Sequence, residues 1–229
     1  MIIAVDKAQK EGKHDLKHNQ LIEMGHELWF LPLPVGDYIL VDDAVREVVK
    51  RRGDKLKKMD LIGVTKRSVD SKYGIDEIYG DIIGSQHARF RDECILAQQN
   101  GIQLTILIES APEVRCLEDV KRWRNWKQLG AYCRRNKIKM GDGMFDRIEE
   151  FVSHGGQKPP VSGEQLHKAM VTMAEKYHIR FAFISPANSG KAIEYLLTKE
   201  EEQCHAQRRG YSDCKIVRYN ATNRSHVRV

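Results

Sequence analysis

Residues 102–108, Ile102-Gln103-Leu104-Thr105-Ile106-Leu107-Ile108, form a nearly unbroken apolar run. A strand with so little alternation is buried on both faces and belongs in the middle of a sheet. Around it, strand-like and helix-like patterns alternate. Residues 2–6 read as a buried strand delivering Asp6 at its end, and residues 15–24 as a helix stopped by Gly25. Residues 27–33 are β-rich, although Pro32 and Pro34 break their regularity, and residues 35–41 read as a turn into a strand with Asp37 at its start. A further strand is expected around 61–72, helices over 75–83 and 86–100, and one or two helical turns over 117–123. Ser162 with Gln165 is a capping-box signature for a helix reaching Tyr177, followed by a strand over 179–184 and a last helix over 187–202. Residues 46–60 read equally well as a helix or a hairpin arm. Residues 124–160 dissolve into Trp, Gly, Arg and Lys, the pattern of a long and partly mobile insertion. Strands alternating with helices predict an α/β sandwich with a mixed central sheet.

The 229 residues suffice for one large domain or two small ones, and 41% hydrophobic with 31% charged residues is a globular composition. Collagen-like, disulfide-framework and wholly disordered classes are excluded. No apolar run approaches the roughly 18 residues a spanning helix needs. Met1-Ile2-Ile3-Ala4-Val5-Asp6 lacks the charged start of a signal peptide, so a cytoplasmic protein is expected. Five cysteines without a CxxC pair read as reduced thiols. The net charge of +6 hides a strong division: residues 46–67 carry +6, residues 115–139 carry +7 and residues 203–229 carry +5, leaving −12 elsewhere. A basic surface around an acidic remainder suits a protein that holds a polyanion while gathering carboxylates; three solvated surface stretches would give the same numbers.

Acids and a lysine fall at predicted strand ends: Asp6, Asp37 and Asp70-Ser71-Lys72. Residues two apart on a strand share a face, so Asp70 and Lys72 project together. With Asp37 from a neighbouring strand, two carboxylates can hold a divalent ion with oxygen ligands, Mg²⁺ or Mn²⁺. The lysine then stands beside the water such an ion polarises, an arrangement suited to phosphodiester hydrolysis. A DxK triplet alone is equally the mark of a local ion pair at an exposed strand end.

Longer motifs add to this pattern. Leu33-Pro34-Val35-Gly36-Asp37-Tyr38-Ile39 resembles the glycine-aspartate motif opening the second strand of XPF-type nucleases of the PD-(D/E)XK superfamily. That family continues with Glu-Arg-Lys, three arbitrary residues and Asp; here Asp70-Ser71-Lys72, Tyr73-Gly74-Ile75 and Asp76 fit the spacing, with Asp for Glu and Ser for Arg. His87-Ala88-Arg89-Phe90-Arg91-Asp92-Glu93 resembles the family's next helix, and Leu104-Thr105-Ile106-Leu107-Ile108-Glu109 the strand after it. Residues 159–197 resemble the closing helix-strand-helix of phage and prophage members.

The resemblance implies a three-layer α/β/α restriction-endonuclease-like fold, a nuclease domain over residues 1–200 with a basic insertion at about 111–160, and a basic tail over 201–229. It implies a Mg²⁺- or Mn²⁺-dependent endodeoxyribonuclease acting on branched or flapped DNA in repair or recombination, inside a bacterial or phage-infected cell, and pairing as a homodimer. Asp37 and Asp70, with the carbonyl of Ser71, would hold the metal. Lys72 would position the attacking water, Asp6 would join the catalytic set, and Asp76 and Arg89 would be accessory. Arg51, Arg52, Lys57, Lys58, Arg122, Arg124, Arg134 and Arg135 are the candidate DNA contacts. Two departures stand out. The family's Asp-Thr-Arg is Asp6-Lys7-Ala8 here, leaving Lys7 or Lys10 to replace the arginine, and no helix-hairpin-helix module follows. A second register would set Thr65-Lys66-Arg67 on the Glu-Arg-Lys motif and remove the acid, giving a catalytically silent DNA-binding module with a nuclease-like fold.

Three weaker signals complete the pattern. Ser185-Pro186-Ala187-Asn188-Ser189-Gly190-Lys191-Ala192 faintly resembles a phosphate loop, but a helix start near Ala187 with Ser185 as its cap explains it better. His14 and His18, four apart, read as surface histidines. Trp123, Trp126 and Tyr132 among arginines could stack on unpaired bases or form a small core of their own.

Overall fold

The apolar run of residues 102–108 lies, as expected, deep in a mixed sheet. The computed structural model describes residues 1–10, 12–110, 113–199 and 215–217, the last three by backbone alone. Its strands are β1 (Ile2–Asp6), β2 (Glu27–Leu31), β3 (Tyr38–Leu40), β4 (Arg67–Lys72), β5 (Gln103–Glu109), β6 (Arg180–Ile184) and β7 (Lys215–Val217). Among the described residues they form a seven-stranded sheet in the order β2-β1-β3-β4-β5-β6-β7. β1 is parallel to β2, while β3 runs antiparallel to both β1 and β4; β4, β5 and β6 are parallel, and β7 closes the edge antiparallel to β6. Three residues of the expected tail thus belong to the sheet; the rest of the tail, with Cys204 and Cys214, lies outside the described residues.

The helices are α1 (Asp15–Glu23), α2 (Asp43–Arg52), α3 (Ile75–Ile82), α4 (His87–Gln99), α5 (Trp126–Arg135), α6 (Met144–Ser153), α7 (Gly163–Tyr177) and α8 (Ser189–Thr198). Strand alternation sorts them into layers. Leu104, Ile106 and Ile108 of β5 pack with Ile78 of α3, Phe90 of α4 and Met170 of α7. Leu107 points the other way, among Leu21 of α1 and Ile193 of α8. On the α3/α4/α7 side α2 continues the layer, with Val45 and Val48 on Ala4 and Ile39. The result is a three-layer α/β/α architecture with a mixed central sheet. No helix among the described residues is long and apolar enough to cross a membrane.

Two ambiguous stretches resolve into regular structure. Residues 43–52 form a helix rather than a hairpin arm, because Asp42 caps it by accepting the Val45 amide at 2.9 Å. The helix gives way to short 3-10 turns at Gly53–Lys55 and Lys58–Leu61, so the following strand begins at Arg67 and not near residue 61. Residues 124–160 are no structureless insertion: α5 and α6 pack Leu129, Tyr132 and Cys133 on Met144 and Ile148. These few apolar residues recur at helical spacing, but surrounding Arg, Lys and Gly dilute the pattern. Tyr132 is therefore core, and Trp123 packs on Tyr79 with ring centroids 5.6 Å apart, while Trp126 stays exposed. The Ser162–Gln165 capping box forms as expected.

The phosphate-loop lookalike serves helix packing. Gly190 lies in α8 and donates its amide to Gln20 Oε1 at 2.6 Å; a Cβ there would come within 2.6 Å of the Gln20 Cβ. A glycine is needed for this approach of α8 to α1, and Ser185 makes no side-chain cap. Cys94, buried in the core with Phe90 and Ile106, is an inert thiol whose pKa burial and then the Glu93 charge push up to about 12.

Candidate active site

β1, β3 and β4 end or begin around one cleft of about 570 Å³. The sheet brings Asp6 there because its amide donates to the Asp37 carbonyl at 2.9 Å, and Asp37 because its own amide donates to the Val69 carbonyl at 2.8 Å. Tyr38 pairs with Val69, so Asp37 falls across from Asp70. Asp6, Asp37, Asp70, Ser71 and Lys72 all line the cleft. The Asp70 register is thus the one that reaches it. Thr65 instead sits ahead of β4 and turns its hydroxyl onto the Leu61 carbonyl at 2.9 Å.

β4 divides its C-terminal residues between the faces of the sheet. Asp70 and Lys72 point towards α3 and α4, where Lys72 Nζ lies 2.9 Å from Asp70 Oδ2 and 3.0 Å from Asp81 Oδ2, over the Phe90 ring. Burial by itself would lower the Lys72 pKa; the carboxylates of Asp70 and Asp81 override it and hold the ammonium above its ordinary value. Asp70 is raised well above the usual carboxylate range by burial, a shift opposed by Lys72 and reinforced by the charges of Asp37 and Glu93. Ser71 faces the opposite way: its amide and hydroxyl both donate to Asp37 Oδ2, at 2.9 and 2.7 Å. In a strand the N–H and C=O of one residue leave the same edge, so the Ser71 carbonyl is also directed towards the Asp37 side.

Three side chains that the sequence patterns did not single out complete the site. Asp81 is 3% exposed within the apolar face Ile75, Ile78, Ile82 of α3; an acid on such a face needs a partner, and that was the readable signal. Glu93 lies three residues after the buried Phe90 and accepts the Gly36 amide at 2.7 Å. Glu77 lines the cleft, accepting the Tyr73 amide at 2.6 Å and pairing with Lys13 at 3.2 Å. It occupies the place expected for Asp76, which is exposed and does not line the cleft. The reason is helical geometry: neighbouring residues of a helix turn about 100° apart, and Glu77 is the one facing inward.

The basic residues divide as well. Arg89 lines the rim, largely exposed, 3.8 Å from Asp81 Oδ1. Lys58 also lines the cleft, exposed, 3.8 Å from Asp6 Oδ2. Lys10 lines the cleft and Lys7 does not. The other candidate DNA contacts are not in the cleft. Arg51 and Lys57 are exposed, Arg52 pairs with Asp60 and Arg122 with Asp119, and Arg134 and Arg135 lie exposed at the end of α5. Arg124 donates to the carbonyls of Lys121 and Trp123 and lies over the Phe145 ring. His14 is buried, not a surface residue; burial and then the Lys17 charge lower its pKa to about 4. His18 stacks near it and shares a hydrogen bond with the Tyr38 hydroxyl.

Among the described residues no three His, Cys, Asp or Glu side chains form a ready-made metal cluster. The donor set on offer is two carboxylates, Asp37 and Asp70, with the Ser71 carbonyl on the Asp37 side of β4 and Glu93 lining the same cleft. Mg²⁺ accepts such a set, since it keeps several waters and often takes only one or two carboxylates. The chain matches no known protein-family model and no curated protein.

Proposed function

We propose that this chain is a Mg²⁺- or Mn²⁺-dependent DNA endonuclease of the XPF-type, PD-(D/E)XK kind, with a restriction-endonuclease-like fold. The observation that carries the proposal is the convergence of Asp37, Asp70 and Lys72, from two strands, on one cleft. Two carboxylates repel each other there, and a divalent cation relieves that repulsion.

Asp37, Asp70 and the Ser71 carbonyl would hold the ion. When bound, it supplies Lewis-acid polarisation of the phosphoryl oxygen and a lowered pKa for attached water. The chain's own residues do the rest. Lys72, clamped by Asp81, keeps its proton and so acts as a hydrogen-bond donor that orients the attacking water and offsets charge on the phosphate, not as a base. Lys58, beside Asp6, and Arg89, beside Asp81, line the cleft and are placed to grip phosphates of the bound strand. Branched or flapped DNA is the substrate class the motif resemblance implies.

The test is incubation of the purified protein with branched and linear DNA plus Mg²⁺ or Mn²⁺. Metal-dependent cleavage is expected, and Asp70→Asn should weaken Mn²⁺ binding at least about 10-fold, by analogy with the loss of a supporting ligand. Absence of cleavage from every substrate would overturn the proposal. One observation favours a second reading, a DNA-binding module without turnover: Lys72 already neutralises Asp70 at 2.9 Å. That reading expects salt-sensitive DNA binding and no Mn²⁺ uptake.

A further inference from the structure

A second buried ion network lies behind the carboxylates, on the α1 side of the sheet. Lys17 of α1 and Glu109, which ends β5, pair at 2.5 Å with both side chains 3% exposed. Lys17 Nζ also donates to Ser71 Oγ at 3.3 Å, and that hydroxyl donates to Asp37 Oδ2 at 2.7 Å. The direction of this chain is fixed by chemistry. An ammonium has no acceptor capacity, so the hydroxyl accepts from Lys17 and its single proton is committed to Asp37. Asp37 Oδ2 takes the Ser71 amide as well, so this oxygen is held against β4 by two donors.

The fold alone gives little reason for the pair. Burying two ions is costly, and apolar side chains of similar volume would fill the same space at no loss of stability. What apolar side chains could not do is orient the Ser71 hydroxyl. Resting on the nuclease reading above, we propose that Lys17 is a positioning residue for the metal-holding carboxylate Asp37, acting through the Ser71 hydroxyl, with Glu109 as its counterion.

The experiment is titration of Mn²⁺ into the full chain without DNA, followed by the electron paramagnetic resonance of free Mn²⁺ and by calorimetry. The variants are Ser71→Ala, the pair Lys17→Met with Glu109→Met, and all three together. Removing both ions at once leaves no unpaired charge in the core. Each of the first two is expected to weaken Mn²⁺ binding about 10- to 100-fold, the usual effect of losing a partner that orients a ligand. The triple variant should bind no more weakly than the weaker of the two, because both act along one route.

Wild-type affinity in Ser71→Ala or in the paired variant overturns the assignment. So does a triple variant in which the two losses multiply, since Lys17 would then act by a route other than Ser71. If the paired variant loses its near-ultraviolet circular dichroism, Lys17→Leu with Glu109→Leu, a smaller pair that likewise offers Ser71 no donor, is read in the same way. An unsubstituted chain that binds no Mn²⁺ overturns the nuclease reading and this assignment with it. That failure is separate from the others because it appears before any substitution is made.

Discussion

Lys72→Ala is expected to lower metal-dependent DNA cleavage by roughly 10³-fold, the upper range for removing a donor aimed at developing charge. The ammonium sits between two buried carboxylates and over the Phe90 ring, so its position is fixed by contacts on three sides. The same substitution strips Asp70 of its counterion and leaves Asp81 only the largely exposed Arg89 at 3.8 Å, at a cost of about 3–5 kcal/mol. Lost stability and lost chemistry are therefore mixed in the single variant. Lys72→Met combined with Asp81→Asn separates them, since only Asp70 is left charged and it can be neutralised by the cation. This double variant is expected to recover most of the thermal midpoint, to bind Mn²⁺ at least as tightly as the unsubstituted chain, and still not to cleave. Cleavage within 10-fold of wild type in either variant would remove Lys72 from the chemistry. Steady-state cleavage with Mn²⁺, alongside thermal unfolding, is the measurement.

The second large effect concerns the turn that delivers Asp37. Gly36 has φ +67°, in the left-handed region, and a Cβ there would stand 2.3 Å from Ser68 Oγ and 3.1 Å from the Val69 carbonyl oxygen. The serine cannot easily move away, because its hydroxyl donates to the Val35 carbonyl at 2.6 Å and reaches that of Tyr38 at 3.3 Å. Gly36→Ala is expected to destabilise the protein by roughly 2–4 kcal/mol, from backbone strain and overpacking together. For a chain of this size that is a fall of roughly 5–15 °C in Tm. Combining it with Ser68→Gly removes the nearest clash and should return part of the loss. An unchanged midpoint in Gly36→Ala, read by differential scanning calorimetry, would contradict the turn geometry that sets Asp37 across from Asp70.

The fold was legible wherever a segment was strongly patterned. The run at residues 102–108 announced a buried strand, the capping box at Ser162 announced α7, and the acid at the end of residues 2–6 announced where β1 would stop. What escaped was structure whose cause is not local. α5 and α6 are held by five buried residues among many charges, and no single window shows them. The short strand β7 needs β6 as its partner and carries no pattern of its own.

At the site, Asp6, Asp37, Asp70 and Lys72 were readable because strand ends place side chains where a cleft can form. Asp81, Glu93 and Lys17 were harder. Each lies on a helix beside apolar residues and takes its meaning from a partner far along the chain: Lys72 for Asp81, Gly36 for Glu93, and Glu109 and Ser71 for Lys17. Spacing misled at Asp76, where the motif distance fits but the helix turns the neighbouring Glu77 into the cleft.

In the proposed function Asp37 and Asp70 together grip a cation. Anomalous diffraction from crystals soaked in Mn²⁺ tests it most directly. One strong peak is expected within ligand distance of the carboxylates of both Asp37 and Asp70. No peak at that position, or a peak held by other residues alone, would contradict it.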